Sequence, residues 1–196
     1  MVELALIKQS LGITGTTNNA LLSRLILVAT KMIENYCKRS FTLSEYANEE
    51  YRGSGTRFLN LKNYPIIEVV KVEENEGLIE NPVWIDISQY VYSKSLVGQL
   101  YLNSGFFKSE RDYRVTYSAG YESEDSQDSG SSPVPVDVQH VCIELVSYLY
   151  QNRTGQGMKS ERVGDLSYTK FDQSGKGLIK DLYLDAILDT YRTPTL

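Results

Sequence analysis

Residues 133–171 read PVPVDVQHVCIELVSYLYQNRTGQGMKSERVGDLSYTKF, and this stretch decides the fold that the sequence predicts. Proline ahead of a run of apolar residues is a helix-start signal. The apolar residues that follow recur at spacings of three and four, and they mark the buried face of one helix: Val138, Val141, Cys142, Leu145, Val146 and Leu149. Beyond a stop at residues 151–155, the chain from 160 to 171 alternates between apolar and polar residues. It predicts a β arm of two short strands that turn near Gly164 and Asp165.

Three further amphipathic helices are predicted around this one. Residues 3–11 form a short helix, and a second helix carries apolar residues at helical spacing from Leu22 to Tyr36. Ser174-Gly-Lys-Gly177 predicts a hinge, and residues 178–192 then form a last helix whose apolar positions fall on more than one side. Residues 1–41 and 133–196 are therefore predicted to be the two parts of one helical bundle.

Between these parts, residues 42–121 change to a period close to two, with frequent turn residues. Residues 51–56 predict a hairpin turn, residues 66–72 the strongest strand, and residues 73–77 an acidic turn. Short strands at this spacing are typical of an antiparallel sheet or a small barrel. Residues 122–132 contain no apolar side chain and predict a mobile acidic loop. The predicted fold class is α+β: a small α-helical bundle with an inserted antiparallel β subdomain and a short β arm before the C-terminal helix.

Composition limits the functions that the chain can have. Its 196 residues suit one globular unit with an insertion, and its net charge of −5 argues against a free-standing nucleic-acid binder. No signal peptide and no membrane-spanning run are expected. Cys37 and Cys142 lie on apolar helical stretches and are expected to be buried free thiols. The 15 tyrosines suit either half-wet interfaces or a solvated antiparallel sheet.

The sequence offers little for a reaction or a cofactor. His140 is the only histidine and has no metal-ligand partner at the usual spacing. Residues 155–160 resemble a phosphate-binding loop, but Met158 separates the glycine from the lysine and a helix precedes it. The acidic clusters lack calcium-loop spacing and are interpreted as solvated turns. We expect no catalytic residue, no metal and no cofactor, and hence no enzyme.

Several stretches together resemble the head–tail connector proteins (adaptor or head-completion proteins) of long-tailed phages and prophages. They lie in order over nearly the whole chain: IENYCKRSF at 33–41, YPIIEVVKV at 64–72, RVTYSAGY at 114–121, PVDV at 135–138, ELVSYLY at 144–150 and KSERVGDLSY at 159–168. The resemblance implies a ring of about a dozen copies that docks beneath the portal protein after DNA packaging. The resemblance further implies that this ring extends the DNA exit channel and receives a stopper or the next connector. We therefore expect the ring in the virion neck and the chain in the host cytoplasm during assembly. The long acidic loop and the extended last helix depart from the family pattern.

The resemblance also assigns candidate contact residues. The β arm has strand edges that could pair with a neighbouring copy, and its candidate subunit-interface residues are Val163, Gly164, Asp165, Leu166, Ser167 and Tyr168. The last helix is a candidate for a portal groove, with Tyr183, Leu184, Leu188 and Tyr191 as the contact residues; packing onto its own bundle is the alternative. DNA would pass through the ring without specific binding, since an acidic subunit discourages contact. Two other functions stay open: another neck part, such as a stopper or tail-completion protein, or a carbohydrate-binding or enzymatic module that uses the β region around Trp84.

Overall fold

The computed structural model describes residues 1–78, 80–106, 112–122, 133–155, 160–163, 166–169 and 175–192. The α-helices are α1 Leu4–Ser10, α2 Asn19–Cys37, α3 Val136–Gln151, α4 Gly175–Asp181 and α5 Asp185–Leu188. The strands are β1 Ser44–Arg52, β2 Phe58–Asn60, β3 Ile66–Asn75, β4 Trp84–Asp86, β5 Val91–Lys94, β6 Gln99–Leu102, β7 Asp112–Ala119, β8 Ser160–Val163 and β9 Leu166–Thr169. Short 3₁₀ turns cover Ser88–Tyr90, Ser95–Val97, Asn152–Gly155 and Asp189–Tyr191. The predicted α+β class is confirmed.

The chain divides into two compact units. The helical unit combines Met1–Arg39 with Val134–Leu196, and the β unit is the continuous segment Ser40–Pro133 between them. The helical unit therefore draws on both halves of the chain, while the β unit is complete within one segment.

The core of the helical unit is the apolar face that the spacing of α2 and α3 predicts. In α3, Val138, Val141, Cys142, Leu145 and Val146 are fully buried. They share the core with apolar residues of the other helices: Ile7, Leu22, Ala29, Ile33, Ile179 and Leu188. Pro135 precedes α3, as the helix-start signal predicts, because a proline at that point removes no helical hydrogen bond.

The β unit consists of two open sheets. One has the order β1-β7-β3-β4 and the other β2-β6-β5, and every strand pairing in them is antiparallel. Strand β7 alternates between half-buried and buried positions along its whole length, as a strand with one core face should. Its buried residues join apolar residues of both sheets in one core: Leu59, Leu61, Ile66, Val72, Leu100, Leu102, Phe106, Tyr113, Val115, Tyr117 and Ala119. The sequence predicted either an antiparallel sheet or a small barrel, and the described strands form antiparallel sheets.

The predicted hairpin at residues 51–56 is wrong. Strand β1 pairs with β7, from Ser44 opposite Ala119 to Arg52 opposite Asp112, whereas β2 pairs with β6. The glycines of this stretch make a connection between two sheets, because the partner of each strand lies more than thirty residues away along the chain.

The acidic turn at residues 73–77 is also predicted wrongly, because β3 continues to Asn75. Glu73 and Glu74 are only 4% and 8% exposed. Arg114 donates two hydrogen bonds to the Glu73 carboxylate, and Tyr113 donates one to Glu74. These two carboxylates are thus paired side chains of a strand and do not lie in a solvated turn.

The single helix predicted over 178–192 is interrupted, and Gly175–Gly177 begin α4 where a hinge was predicted. The interruption is at Tyr183, whose φ of 57° lies in the left-handed region. The Leu184 amide donates to the Ile179 carbonyl and the Tyr183 amide to the Lys180 carbonyl. This is the Schellman arrangement that ends a helix, and the apolar residues that flank it, Ile179 and Leu184, are both buried.

Candidate assembly surfaces

The β arm is present as the paired strands β8 and β9. They are antiparallel, with Ser160 opposite Thr169 and Val163 opposite Leu166, so the predicted strand pair is confirmed. Among the described residues these strands form a sheet of two, and each has one edge outside that pairing. Strand edges of this kind are able to add a strand from another chain. Of the candidate interface residues, Val163, Leu166, Ser167 and Tyr168 lie on the two strands, while Gly164 and Asp165 lie outside the described residues. Their contact with a neighbouring copy stays a prediction.

The candidate portal-binding residues are divided between surface and core. Tyr183 is 85% exposed, whereas Leu184 and Leu188 are 6% and 0% exposed within the helical unit. The Cys37 thiol donates to the Leu188 carbonyl at 3.7 Å, and the Tyr191 hydroxyl donates to Asp137 Oδ2 at 2.8 Å. The two leucines thus pack onto their own bundle in this conformation, which is the alternative that the sequence left open. Tyr183 is the member of the set that is presented to a partner without any movement, and a portal contact stays a prediction.

Helix α2 has a second apolar surface that the sequence prediction missed. Leu21, Leu27 and Val28 are 36%, 68% and 42% exposed, on the side of the helix away from the buried Leu22, Ala29 and Ile33. The signal was available in the sequence, because an amphipathic surface helix should carry polar residues where these three lie. These three side chains, with the exposed Arg24 among them at spacings of three and four, form a candidate contact surface.

The β unit also exposes apolar and aromatic side chains. The exposed set comes from β3, β4, β5 and the segments beside them: Val70, Leu78, Val83, Ile85, Tyr90, Tyr92, Leu96 and Val97. Half-wet interfaces and a solvated sheet, the two uses that the composition suggested for the tyrosines, do not account for all of them. Tyr90 and Tyr92 are more than half exposed, while Tyr113 and Tyr117 are fully buried with their hydroxyls hydrogen-bonded.

A network of polar side chains fixes β1 to β7 and to the segment after β2. The hydroxyls of Tyr51 and Tyr117 both donate to Glu49 Oε2, at 2.6 and 2.7 Å, and Lys62 Nζ lies 2.9 Å from Glu49 Oε1. Burial raises the pKa of Glu49, but these hydrogen bonds outweigh it, so the pKa lies below its usual value. Burial is also the first cause of the raised pKa of both tyrosines. The carboxylate is therefore ionised and the phenols are neutral at neutral pH, an arrangement that holds strands together.

The remaining candidate groups show no catalytic arrangement among the described residues. Cys37 and Cys142 are buried free thiols, as predicted, and burial raises the pKa of each to about 11. Neither is therefore a reactive thiolate at neutral pH. In the part of the chain that the structure describes, no three His, Cys, Asp or Glu side chains are placed to hold a metal ion. Over the same residues, no helix has the length and hydropathy needed to span a bilayer.

The exposed apolar side chains of α2 and the strand edges of the β arm are candidate contact surfaces. The comparison with known families identifies the family of the chain. The family model described as "Head completion protein" matches residues 2–164, and the chain belongs to this family.

Three solved structures that match the chain come from gene transfer agent particles. A chain from the neck of an empty gene transfer agent (GTA) particle, computed with C6 symmetry, has a TM-score of 0.55 at 12% identity; the match covers 100% of this chain and 91% of that chain. A chain from the neck of the native GTA particle, computed with C12 symmetry, has a TM-score of 0.44 at 13% identity and 94% coverage of both chains. A chain of the native GTA virion has a TM-score of 0.49 at 13% identity, over 93% of this chain and 81% of that one. No curated protein sequence matches the chain.

Proposed function

We propose that this protein is a ring-forming connector in the neck of a tailed-phage-type particle, docked beneath the portal protein after DNA packaging. In this role it extends the DNA exit channel and receives a stopper or the next connector. The role is structural, and it requires no cofactor and no reaction.

The observation that carries this proposal is the head completion family match over residues 2–164. The matched range contains α1, α2 and α3 of the helical unit and all seven strands of the β unit. The fold likeness at a TM-score of 0.55 is to a chain from a particle neck computed with sixfold symmetry. A closed ring requires two different, complementary faces on each subunit. The exposed apolar side chains of α2 and the strand edges of the β arm supply surfaces of the kind that such contacts use.

The charge of the chain fits a channel through which DNA passes without being held. Non-specific DNA binding requires several lysines and arginines that neutralise phosphates, whereas this subunit has a net charge of −5. Repeated around a ring, that charge repels the duplex. A filter-binding measurement at low salt checks this part, and retention of duplex DNA by the assembled ring would contradict it.

Assembly is tested on the purified protein, alone and with the cognate portal, by native mass spectrometry and electron microscopy. We expect ring-sized particles when the portal protein is present, and we expect cross-links to the portal protein and not to the tail tube. A protein that remains monomeric at high concentration and does not bind portal would contradict the proposal. Cross-links to the tail tube alone would make the chain a different neck part, such as a stopper or tail-completion protein.

Two matched Tyr-to-Asp variants separate the two predicted contact sets. Tyr168→Asp, like Leu166→Asp, is expected to leave the monomer folded and to abolish ring formation, because a charge at the β arm disrupts pairing with a neighbour. Tyr183→Asp is expected to keep the ring and weaken portal binding, since Tyr183 is exposed outside the arm. Circular dichroism checks folding, and an unfolded Tyr168→Asp protein would place that side chain in a core.

A further inference from the structure

A cleft in the helical unit is not used by any of the contacts described above. It has a volume of about 410 Å³ and lies between the end of α2, helix α4 and the end of the last 3₁₀ turn. Among the residues that the structure describes, six line it: Asn35, Tyr36, Lys38, Gly177, Lys180 and Arg192. A cleft of this volume is large enough for several side chains of a peptide.

The cleft is cationic in an acidic protein. Three of its six lining residues are Lys38, Lys180 and Arg192, and none of the six carries a carboxylate. Lys38 lies at a defined position at the end of α2, because it is the residue directly after the helix and has a left-handed backbone conformation, with φ of 57°. Lys38 and Lys180 are both exposed, so their ammonium groups are accessible to a binding partner.

Carboxylates near Tyr36 and Arg192 reduce the charge of the cleft without removing it. Asp189 Oδ1 lies 3.3 Å from Arg192 Nη1 and accepts a hydrogen bond from the Tyr36 hydroxyl. Asp185 also acts on Tyr36 electrostatically. A guanidinium has five N–H donors in a planar fork, so its pairing with Asp189 leaves Arg192 able to bind a second carboxylate. The guanidinium also lies over the Tyr36 ring, 5.5 Å from its centroid, which helps to hold it at the cleft.

We infer that this cleft binds an acidic peptide segment of a neighbouring copy of the same chain; the inference rests on the proposed ring. The occupant is argued from charge. By sequence, the densest acidic stretch of the chain is Glu122-Ser-Glu-Asp-Ser-Gln-Asp128, which contains no cation. Glu122 is only 9% exposed, so Glu124, Asp125 and Asp128 are the three carboxylates that we assign to the cleft. Each copy then carries one cationic and one anionic element, which is the complementarity that a head-to-tail ring needs. Duplex DNA fits less well, because it is bound by broad basic surfaces and the net charge of −5 opposes its approach.

Binding of the acidic segment is measured with a fluorescein-labelled peptide of residues 122–132. The acceptor is the full chain with Glu124→Gln, Asp125→Asn and Asp128→Asn, so that its own segment does not compete for the cleft. We expect saturable binding that weakens with salt, and about tenfold weaker binding after Lys180→Glu. Arg24→Glu, an exposed charge reversal on α2 of the same unit, is the matched control and should bind as the parent does. A peptide with Gln and Asn in place of its acids should not bind.

Assembly then tests whether the contact operates between copies. Lys38→Glu with Lys180→Glu should shift ring assembly to about tenfold higher protein concentration, and Glu124→Lys with Asp125→Lys in the same chain should restore it.

The outcomes separate the inference from the proposed function. If the wild type forms rings, the double charge reversal does not change their assembly and the peptide does not bind, the inference is overturned and the proposed function remains intact. Peptide binding by a chain that never forms rings supports the cleft and contradicts the proposed function. Lysine-dependent binding of a 20-base-pair duplex in place of the peptide would make the cleft a phosphate site and overturn the inference.

Discussion

Replacement of Arg114 should destabilise the β unit more than replacement of any other cation that pairs with Glu73. Arg114 Nε and Nη2 donate to the two oxygens of Glu73, at 2.5 and 2.9 Å, and the side chain of Glu73 is only 5% exposed. The guanidinium also lies 4.5 Å from the centroid of the Trp84 ring. Loss of one partner of a buried pair costs about 3–5 kcal/mol when nothing else compensates the charge.

Two features reduce that figure here. Lys71 Nζ also contacts Glu73 Oε1, at 2.8 Å, and the Arg114 side chain is itself 27% exposed. We therefore expect Arg114→Met to lower the free energy of unfolding by about 2–4 kcal/mol. Lys71→Met is the matched control; because Lys71 is 44% exposed and reaches Glu73 through one ammonium–oxygen contact, its cost should be about 0–1 kcal/mol. The double variant Arg114→Met with Glu73→Gln should cost less than the sum of its parts.

The assay is urea unfolding followed by fluorescence of Trp84, the single tryptophan, which reports on the β unit. Hydrogen bonds from Arg114 are the first cause of the lowered pKa of Glu73 in the folded protein. The contribution of the Arg114–Glu73 pair to stability is therefore complete above the pKa of a glutamate in the unfolded chain, about 4.3. It is lost as the pH falls through the lower pKa that Glu73 has in the folded protein. The difference between wild type and Arg114→Met should shrink over that range. Equal costs for Arg114→Met and Lys71→Met, or strict additivity with Glu73→Gln, would refute the reasoning.

Three other changes have clear expected outcomes. Leu145→Ala, at a fully buried position of α3, should cost about 2–5 kcal/mol in urea unfolding followed by circular dichroism; a cost below 1 kcal/mol would mean that the site collapses around the cavity. Tyr183→Gly should raise stability by about 1 kcal/mol, because glycine takes the left-handed conformation without strain and the lost side chain is 85% exposed; a lower melting temperature would count against this. Cys37 and Cys142 should not react with a thiol reagent at pH 8 until the protein unfolds, because burial raises the pKa of each to about 11; rapid reaction of the native protein would contradict their burial.

The elements of this fold could be predicted because their signals are local. The spacing of apolar residues in α3 places five fully buried side chains on one face, and the alternation in β7 matches its burial residue by residue. The two short strands of the β arm followed from the same kind of pattern. Each of these elements buries one face, so the pattern of apolar residues within the element is enough to predict its type.

Pairing between distant segments could not be predicted in this way. Gly53 and Gly55 are compatible with a hairpin, but the strand before them, Ser44–Arg52, pairs with β7, which begins sixty residues after that strand ends. The burial of Glu73 likewise depends on Arg114, in a strand that no local pattern assigns to it. The end of α4 at Tyr183 was missed because a tyrosine carries no signal for a left-handed residue, whereas a glycine would have.

The candidate surfaces were predicted only in part. The β arm was identified from its alternation, and Tyr183 was included through the predicted last helix. The exposed Leu21, Leu27 and Val28 were not predicted, because the apolar spacing from Leu22 to Tyr36 predicts only the buried face of α2. The cationic cleft brings Lys38 together with Lys180 and Arg192, which are more than 140 residues away, and only the folded chain shows that they are neighbours.

The division of the helical unit between the two ends of the chain affects how the protein is made. During synthesis, α1 and α2 leave the ribosome first, yet the residues that cover their apolar face begin only at Val134. At about 5–20 residues per second, the 94 residues of Ser40–Pro133 take roughly 5–20 seconds to translate. At the end of that interval the nascent chain carries every residue of the β unit, while the helical unit still lacks α3. The helical unit is therefore complete only after the chain beyond Val134 has been made, whereas the β unit needs no residue outside Ser40–Pro133.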